Sequence, residues 1–461
     1  MVRLFKHYIP HAVLLLGMLD LILLIFAANL AWTFRVGQIG TDAGSLADRA
    51  LPLVGYAVTT LTAMIAVGVY GPESLRSMRF ACARMLVAIS LAILALAVLD
   101  FILPGQTYWR SVLLYATVLA VAMLVLNRAI VGNILGTSAF RRRILVLGAG
   151  MRAQRLKDLS LKEGSGFTIV GFINMTGASQ HVPEAVQRSQ IPDLSRHVAE
   201  LGASEVVMAL EERRNALPLK DLLRVKTAGV HVNEFSSFLE RETGRVDLDT
   251  LNPSWLIFSD GFSSARALSS LAKRAFDILA SGFLLLLTFP LIALFAIAIK
   301  LDSSGPAFFR QKRVGLYGQT FELIKLRSMC TDAEKDGSKW AQENDPRITR
   351  IGAFIRKVRI DELPQVWTVL LGHMSFVGPR PEVPTFVNDL EDKLPYYAER
   401  HMVKPGITGW AQINFPYGAS IEDSRHKLEY DLYYAKNYTP FLDLLIMLQT
   451  LRAVMWPEGA R

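Results

Sequence analysis

The chain has 461 residues, a hydrophobic fraction of 51% and a mean hydropathy of +0.30, which predict several domains and insertion into a membrane. The formal net charge is +9, yet no lysine-rich tail or aromatic-interleaved basic module accompanies it, which argues against a nucleic-acid partner. With only Cys82 and Cys330, neither a disulfide framework nor a cysteine metal site is available.

Four apolar runs occupy the region 1–135, and each is close to the length that a bilayer requires. We predict four transmembrane helices, within the runs 11–31, 51–69, 83–103 and 110–131. Cations concentrate on the loops that this topology places inside the cell. These cations are Arg3, Lys6, Arg76, Arg79, Arg84, Arg141, Arg142 and Arg143. Both termini of the region are therefore expected to face the cytoplasm.

Asp20 is the one ionisable residue well inside these runs. Such a residue can belong to a proton pathway, but a hydrogen bond between helices is the more common role. We therefore interpret the region as a membrane anchor.

A glycine-rich turn follows in "ILVLGAGMRA", where Gly148, Gly150 and Ala153 match the relaxed form of the dinucleotide fingerprint. Alternating strand and helix patterns predict a Rossmann-like parallel α/β domain at 141–262. A working NAD site needs an acidic residue at the end of the second strand, but that position reads Ile173, Asn174, Met175. We favour a vestigial or regulatory domain over a catalytic dinucleotide site.

A fifth apolar run covers 278–299, and cations stand on both sides of it, with Lys273 and Arg274 before it and Lys300 after it. Both flanks are therefore expected on the cytoplasmic side. Pro290 supplies a break, so we predict a re-entrant helix-break-helix at 272–301 that enters and leaves the inner leaflet. Asp277 joins Lys273 and Arg274 as a membrane-flanking residue. The alternative is a fifth full span with a tolerated kink.

From residue 300 onward, basic residues alternate with glycine and proline. The fork of arginine suits phosphate oxygens, so we predict that these side chains converge on a polyanion rather than form a solvated face. The set comprises Lys325, Arg327, Arg356, Arg359, Arg380 and Arg400.

The stretch from 272 to the C-terminus resembles the catalytic domain of the bacterial sugar transferases, the monotopic polyprenyl-phosphate phosphoglycosyl transferases. The matching motifs are "KRAFD", "QKRVG", "KLRSM", "IDELPQVW", "SFVGPRP" and "KPGITGWAQIN". The four spans and the Rossmann-like domain are similar to the large form of that family, of the type associated with exopolysaccharide and exosortase systems. One departure is Phe289 before Pro290, where many small relatives have serine.

The resemblance implies a catalytic domain at 268–461 that transfers a sugar-1-phosphate from a nucleotide diphosphosugar, with uridine expected as the base, to polyprenyl phosphate. It implies Asp361 as a covalent nucleophile and Glu362 as its partner that binds Mg²⁺. Substrate-binding residues are expected at Lys325, Arg327, Arg356, Pro379, Arg380, Pro381 and Arg400. The enzyme is expected in the bacterial inner membrane with its catalytic domain on the cytoplasmic face, and large relatives suggest a homodimer.

Asp361 has a simpler interpretation, as a cap at the start of a helix through "LPQVWTVLLG" with Pro364 in its first turn. Three rival functions also stay open. They are a non-catalytic membrane scaffold or sensor, a transporter or flippase, and the multispan class of enzymes with the same net reaction. Intact "DELPQ" and "GPRP" argue against the first. Four spans that are nearly free of charge argue against the second, and the small number of spans argues against the third.

Overall fold

The protein is described by a computed structural model that covers residues 2–4, 7–9, 11–40, 44–70, 74, 78–102, 110–139, 141–162, 165–175, 181–211, 218–251, 267–331, 333, 345–415, 418 and 420–455. The chain divides into two compact units, an N-terminal unit (Met1–Thr243) and a C-terminal unit (Gly244–Arg461). The predicted membrane helices and Rossmann-like domain lie in the first unit, and the predicted catalytic domain lies in the second.

Four long apolar helices follow a short antiparallel pair of strands, β1 (Val2–Leu4) and β2 (His7–Ile9). The helices are α1 (His11–Ile39), α2 (Leu46–Val67), α3 (Met78–Ile102) and α4 (Arg110–Ala139). Each contains a stretch long and apolar enough to cross a membrane. The prediction of four membrane helices is confirmed. Lys6 and Arg76, used to predict their orientation, lie outside the described residues.

Asp20 forms a buried polar cluster between these helices. Its carboxylate accepts hydrogen bonds from Asn127 Nδ2, Arg128 Nη2 and the Tyr70 hydroxyl, each at 2.8 Å. The Arg128 guanidinium also lies 5.3 Å from the centre of the Tyr70 ring. Because Asp20 is fully buried and its charge is paired, the preferred interpretation of an interhelical hydrogen bond is confirmed.

The rest of the N-terminal unit is a parallel α/β domain, as predicted. Its strands are β3 (Arg142–Leu147), β4 (Phe167–Asn174), β5 (Val186–Gln187), β6 (Glu205–Met208) and β7 (His231–Glu234). They form one sheet in the order β5-β4-β3-β6-β7, and all its pairs are parallel. The helices are α5 (Met151–Leu161), α6 (Leu194–Glu200), α7 (Leu219–Thr227) and α8 (Phe235–Thr243).

The central strand β3 is apolar because both faces of this sheet are covered. Ile144 and Val146 enter a core with Phe235 on one face, whereas Leu145 and Leu147 enter a core with Val198 on the other. Successive strand residues point to opposite faces, so a doubly covered strand reads as a continuous apolar run.

The division of the chain into two units falls at 243/244, ahead of the predicted domain end at residue 262. Residues 244–251 pack with the C-terminal unit. The Val246 amide donates to the Glu429 carbonyl at 3.0 Å, and Leu248 enters a core with Leu390 and Leu428. Residues 252–262 lie outside the described part of the chain.

The C-terminal unit contains two small sheets and several helices. The antiparallel pair is β8 (Phe308–Val314) with β9 (Thr320–Leu326), and the parallel pair is β10 (Ser375–Val377) with β11 (Gly406–Thr408). The described helices are α9 (Ala267–Asp302), α10 (Arg350–Lys357), α11 (Gln365–Leu371), α12 (Pro384–Lys393), α13 (Trp410–Asn414), α14 (Ile421–Asn437) and α15 (Pro440–Met455).

The fifth apolar run lies in α9, a single helix of 36 residues that contains Pro290. The helical assignment continues through Pro290, and a change of direction at this proline stays a prediction. Residues 270–302 are long and apolar enough to cross a membrane, and most large apolar side chains along them are exposed. The re-entrant course of this helix stays a prediction.

The three predicted membrane-flanking residues attach the start of α9 to the rest of its unit. Lys273 Nζ contacts Asp443 Oδ2 at 2.5 Å, and Arg274 donates to the carbonyls of Val369 and Leu370. The latter contact satisfies carbonyl groups at the C-terminal end of α11. The buried Asp277 carboxylate accepts a hydrogen bond from the Ser375 hydroxyl. These three side chains are thus bonded within the protein, a role that the sequence did not predict.

Candidate active site

Asp361 lies in a short 3-10 turn, Ile360–Glu362, which precedes α11. Arg359, directly before the turn, has the left-handed conformation with φ 59°. Helix α11 begins at Gln365, and Pro364 lies immediately outside it. The simpler interpretation, in which Asp361 caps this helix and Pro364 lies in its first turn, is therefore wrong. Proline lacks a backbone N–H and fixes its φ, so it is well suited to this last position before the helix.

The Asp361 carboxylate is buried, with 8% of the residue exposed, and its Oδ1 has no hydrogen-bond partner. A buried polar atom normally has a hydrogen-bond partner in a folded protein, and one without a partner can mark a catalytic or ion-binding role. Burial, with a contribution from the neighbouring Glu362 charge, raises the pKa of Asp361, while Lys325 and Arg356 act against this shift. The residue at the N-cap of α11 is Pro364 and no side chain caps this helix, so Asp361 is not its cap.

Glu362 has the opposite electrostatic environment. Its Oε1 atom lies 3.1 Å from Lys325 Nζ and 3.4 Å from Arg380 Nη2. Burial alone would raise the pKa of Glu362, but Arg380 and Lys325 outweigh it and hold the pKa at about 2. The pKa values of the two adjacent carboxyl groups therefore shift in opposite directions. Glu362 is firmly ionised, and Asp361 is more basic than usual. Separated acidities of this kind are typical of catalytic pairs.

Different elements bring the two cations to Glu362. Lys325 projects from β9, and burial lowers the pKa of its ammonium group although Glu362 opposes that shift. Arg380 follows β10, and hydrogen bonds to the carbonyls of its two neighbours hold its loop. The Gly406 amide donates to the Pro379 carbonyl at 2.9 Å, and Arg313 Nη1 donates to the Pro381 carbonyl at 2.9 Å.

Pro379 and Pro381 were predicted to bind substrate, but both are buried. Their rings fix φ, and their carbonyls are held by the bonds just described. These bonds fix the backbone on both sides of Arg380, and substrate binding by the two prolines stays a prediction.

Arg400 and Arg327 were also predicted as substrate ligands, and the structure places both elsewhere. Arg400 is buried, donates to Asp431 Oδ2 at 2.7 and 3.0 Å, and donates to the Arg380 carbonyl at 3.0 Å. Arg327 donates to the carbonyls of Ser303 and Ser304 at 2.8 and 2.6 Å. Each guanidinium braces the backbone, because buried arginine needs partners and finds them in the protein itself. Substrate binding by these two residues stays a prediction.

Arg356 and Arg359 approach the pair from α10 and from the residue that precedes the turn. Both charges lower the pKa of Asp361, against the effect of burial. Arg359 belongs to the basic set predicted from the sequence but was not among the predicted site residues. Its signal was its position two residues before Asp361.

Arg356 also borders an open cleft of about 460 Å³, within the size range of ligand sites. The cleft is lined by Asp345, Ile348, Thr349, Arg350, Ala353 and Arg356.

The carboxyl pair fits the small protein donor set that Mg²⁺ uses with phosphate substrates. Magnesium commonly takes one or two carboxylates, and water and diphosphate oxygens complete its shell. Asp361 Oδ1 is unpartnered and its neighbour Glu362 is ionised. Within the described residues, no larger group of His, Cys, Asp or Glu could form an all-protein metal site.

Comparison with known proteins identifies the family of this chain. A model of the bacterial sugar transferase family matches residues 268–457. A UDP-glucose:undecaprenyl-phosphate glucose-1-phosphate transferase from Caulobacter vibrioides is 40% identical over 198 residues, which cover 42% of this chain and 74% of that protein. The chain belongs to the bacterial sugar transferase family. The resemblance drawn from the motifs is thereby confirmed.

Two further relatives extend the similarity of this family member. A UDP-N-acetylgalactosamine-undecaprenyl-phosphate N-acetylgalactosaminephosphotransferase from Aeromonas hydrophila is 43% identical over 240 residues, covering 52% of this chain and 56% of that protein. An undecaprenyl-phosphate glucose phosphotransferase from Komagataeibacter xylinus is 33% identical over 357 residues, covering 74% of this chain and 65% of that protein. The matched regions thus span less than two thirds of either relative.

A second family model, described as a CoA-binding domain, matches residues 65–228. That range includes the glycine-rich turn and most of the parallel α/β domain. The two family matches follow one another along the chain, as the large form of the sugar transferases requires.

Proposed function

We propose that this protein transfers a sugar-1-phosphate from a nucleotide diphosphosugar, with UDP as the expected nucleotide, to polyprenyl phosphate, and thereby initiates synthesis of an exopolysaccharide or another glycoconjugate. The observation that carries this proposal is the divided carboxyl pair. Asp361 has a buried, unpartnered oxygen and a raised pKa, whereas Glu362 is held ionised by Lys325 and Arg380. This division provides one carboxylate, Asp361, as a nucleophile and a second, Glu362, as a permanently ionised group that can bind a metal ion.

In the first step, an Asp361 carboxylate oxygen attacks the phosphorus that bears the sugar. A bond from Asp361 to that phosphorus forms while the bond from phosphorus to the nucleoside monophosphate oxygen breaks. The nucleoside monophosphate leaves with the bonding electron pair. Carboxylates form such covalent intermediates in other phosphoryl transfers. The raised pKa of Asp361 supports this role because a more basic oxygen is a better nucleophile.

In the second step, a phosphate oxygen of polyprenyl phosphate attacks the same phosphorus, and the Asp361 carboxylate leaves. The product is a lipid diphosphosugar, and the enzyme returns to its starting state. Bound Mg²⁺, held by Glu362 beside Asp361, would neutralise charge on the diphosphate. Lys325 and Arg380 orient Glu362, and Arg356 and Arg359 add positive charge where an anionic substrate approaches an anionic carboxylate.

The cleft beside Arg356 is the proposed entry for the water-soluble donor, because it carries the Arg350 and Arg356 side chains. The donor sugar is left to experiment. The relatives' names differ in this respect, with N-acetylgalactosamine in one and glucose in two.

The proposed site lies at the cytoplasmic face of the bacterial inner membrane, beside the re-entrant α9. Contacts near both ends of α9 support this course. Lys273 at its start bonds to Asp443, and Ile292 and Ile299 towards its end enter a core with Ile355. A helix whose two ends attach to one polar unit is consistent with entry and exit on one membrane face. Homodimerisation also stays a prediction.

The reaction is tested by a screen of nucleotide sugars with the purified full chain, undecaprenyl phosphate and Mg²⁺. We expect one UDP-sugar to give equal amounts of UMP and lipid diphosphosugar. EDTA should stop both, and added Mg²⁺ should restore them. Donor consumption without a lipid product, or turnover that continues in excess EDTA, would contradict the proposal.

Membrane placement is testable with a native residue. Cys330 is an exposed free thiol in the C-terminal unit. An impermeant maleimide is expected to label it in inverted membrane vesicles and not in intact spheroplasts, and Cys330→Ser should abolish that label. Labelling of Cys330 from the outside of spheroplasts would refute a cytoplasmic catalytic site.

A further inference from the structure

The glycine-rich turn of the parallel α/β domain has an internal anion at the start of α5. Glu211 Oε1 accepts a hydrogen bond from the Met151 amide at 2.7 Å. Met151 is the first residue of α5, and Gly150 precedes it. In a dinucleotide or CoA site built on this motif, the diphosphate takes the amides at this helix terminus. Here a carboxylate of the chain itself takes that contact.

The glycines of the turn serve contacts within the protein. A Cβ atom at Gly150 would lie 2.5 Å from Glu211 Oε1 and 2.8 Å from its Cδ. A Cβ atom at Gly148, which has φ +135°, would lie 2.5 Å from the Ala209 carbonyl oxygen. The fingerprint spacing is therefore explained by close approach of the chain segment 209–211, without any bound nucleotide.

Two further observations make the turn unsuited to a nucleotide. The amides of His181 and Val182 both donate to the Ala149 carbonyl, at 2.8 and 3.2 Å, so another segment bonds to the turn. The second strand, β4, ends at Asn174, which is buried and cannot supply the carboxylate that a ribose hydroxyl pair needs. The residues present do not fit CoA or NAD, although the domain matches a CoA-binding model.

We infer that Glu211 is an internal ligand of the glycine-rich turn and closes it to CoA and dinucleotides. The carboxylate provides the negative charge that the helix terminus favours, and it repels a diphosphate that approaches the same amide. The domain keeps the parallel fold but uses its phosphate-binding turn to hold its own chain. This inference is independent of the proposed transfer reaction, because it concerns the N-terminal unit alone.

The contact is tested by amide exchange on the full chain in detergent. Glu211→Gln keeps the shape of the side chain and removes its charge, and Glu211→Ala removes both. We expect faster hydrogen exchange at the Met151 amide in both variants, with the larger effect in Glu211→Ala. Glu200→Gln is the matched control, because Glu200 is an exposed glutamate of the same domain whose ion pair is with Arg196. Unchanged exchange in Glu211→Ala would overturn the assignment.

The closure is tested by calorimetric titration with CoA and with NAD. We expect no saturable binding to the wild type or to the Glu200 control up to about 1 mM ligand. Any binding that emerges in Glu211→Gln, at least about tenfold tighter than in the wild type, supports closure by this carboxylate. Saturable binding of either ligand to the wild type would overturn the inference, whatever the result of the transferase assay.

Discussion

Asp361→Asn is expected to reduce nucleoside monophosphate release by at least about a thousandfold, and no phosphosugar should remain attached to the variant after incubation with donor. The amide has nearly the shape of the carboxylate but is a poor nucleophile. It also removes a buried charge whose pKa is raised by burial, so the variant should be at least as stable as the wild type. The measurement is trapping of a labelled sugar phosphate on the protein, with a thermal melt on the same samples.

Asp389→Asn is the matched control for that experiment. Asp389 lies on α12, is exposed, and pairs with Lys393 on the surface. This variant should keep normal turnover and normal labelling. Full activity of Asp361→Asn, or a labelled adduct that forms equally on that variant, would contradict the covalent mechanism.

Arg400→Met is expected to destabilise the C-terminal unit by about 3–5 kcal/mol, because it leaves Asp431 buried without its partner. The ion pair is almost inaccessible, with 6% and 3% of the two side chains exposed. Burial raises the pKa of Asp431 and the Arg400 charge opposes that shift, so loss of the cation raises this pKa further. A drop in melting temperature of roughly 10 °C is the expected reading.

The double variant Arg400→Met/Asp431→Leu separates loss of a charge partner from loss of packing. It should recover much of the stability, because replacement of a buried ion pair by apolar groups is often close to neutral. Removal of Arg310 from its exposed pair with Glu322 should cost less than about 1 kcal/mol. Equal melting temperatures for Arg400→Met and Arg310→Met would contradict the importance of burial.

Arg400 also connects stability to the site. It donates to the Arg380 carbonyl, and Arg380 in turn contacts Glu362. We therefore expect the double variant to bind donor more weakly than the wild type even though its stability is largely restored. The reason is that its Arg380 loop has lost one hydrogen bond to its backbone. A change in KM with a smaller change in kcat would express this positioning role.

Several features were predictable because they depend on local sequence. Apolar runs of bilayer length predicted the four helices before residue 140, and this rule needs no knowledge of neighbours. The change of pattern after Arg143 predicted the parallel α/β domain in the same way. The motif around Asp361 identified the acidic pair, because a family signature is read along the chain.

Other features needed the folded chain. Six basic residues looked equivalent as phosphate ligands in the sequence, yet only Lys325 and Arg380 contact Glu362, while Arg327 and Arg400 brace backbone carbonyls. Residues 244–251 follow the parallel domain and do not differ from it in composition. The sequence therefore gave no sign that they pack against Leu428. Pattern analysis records residue type, whereas these roles depend on which polar partner lies within reach.

The sequence by itself determined the membrane character of the chain, the order of its domains and the carboxyl pair at 361–362, because length, periodicity and motif spacing are properties of a linear string. Only the tertiary structure decided how the two carboxyl groups differ, and that Glu211 occupies the glycine-rich turn. Acidity and occupancy depend on burial and on charges brought together from distant positions, such as Lys325 with Glu362 and Met151 with Glu211.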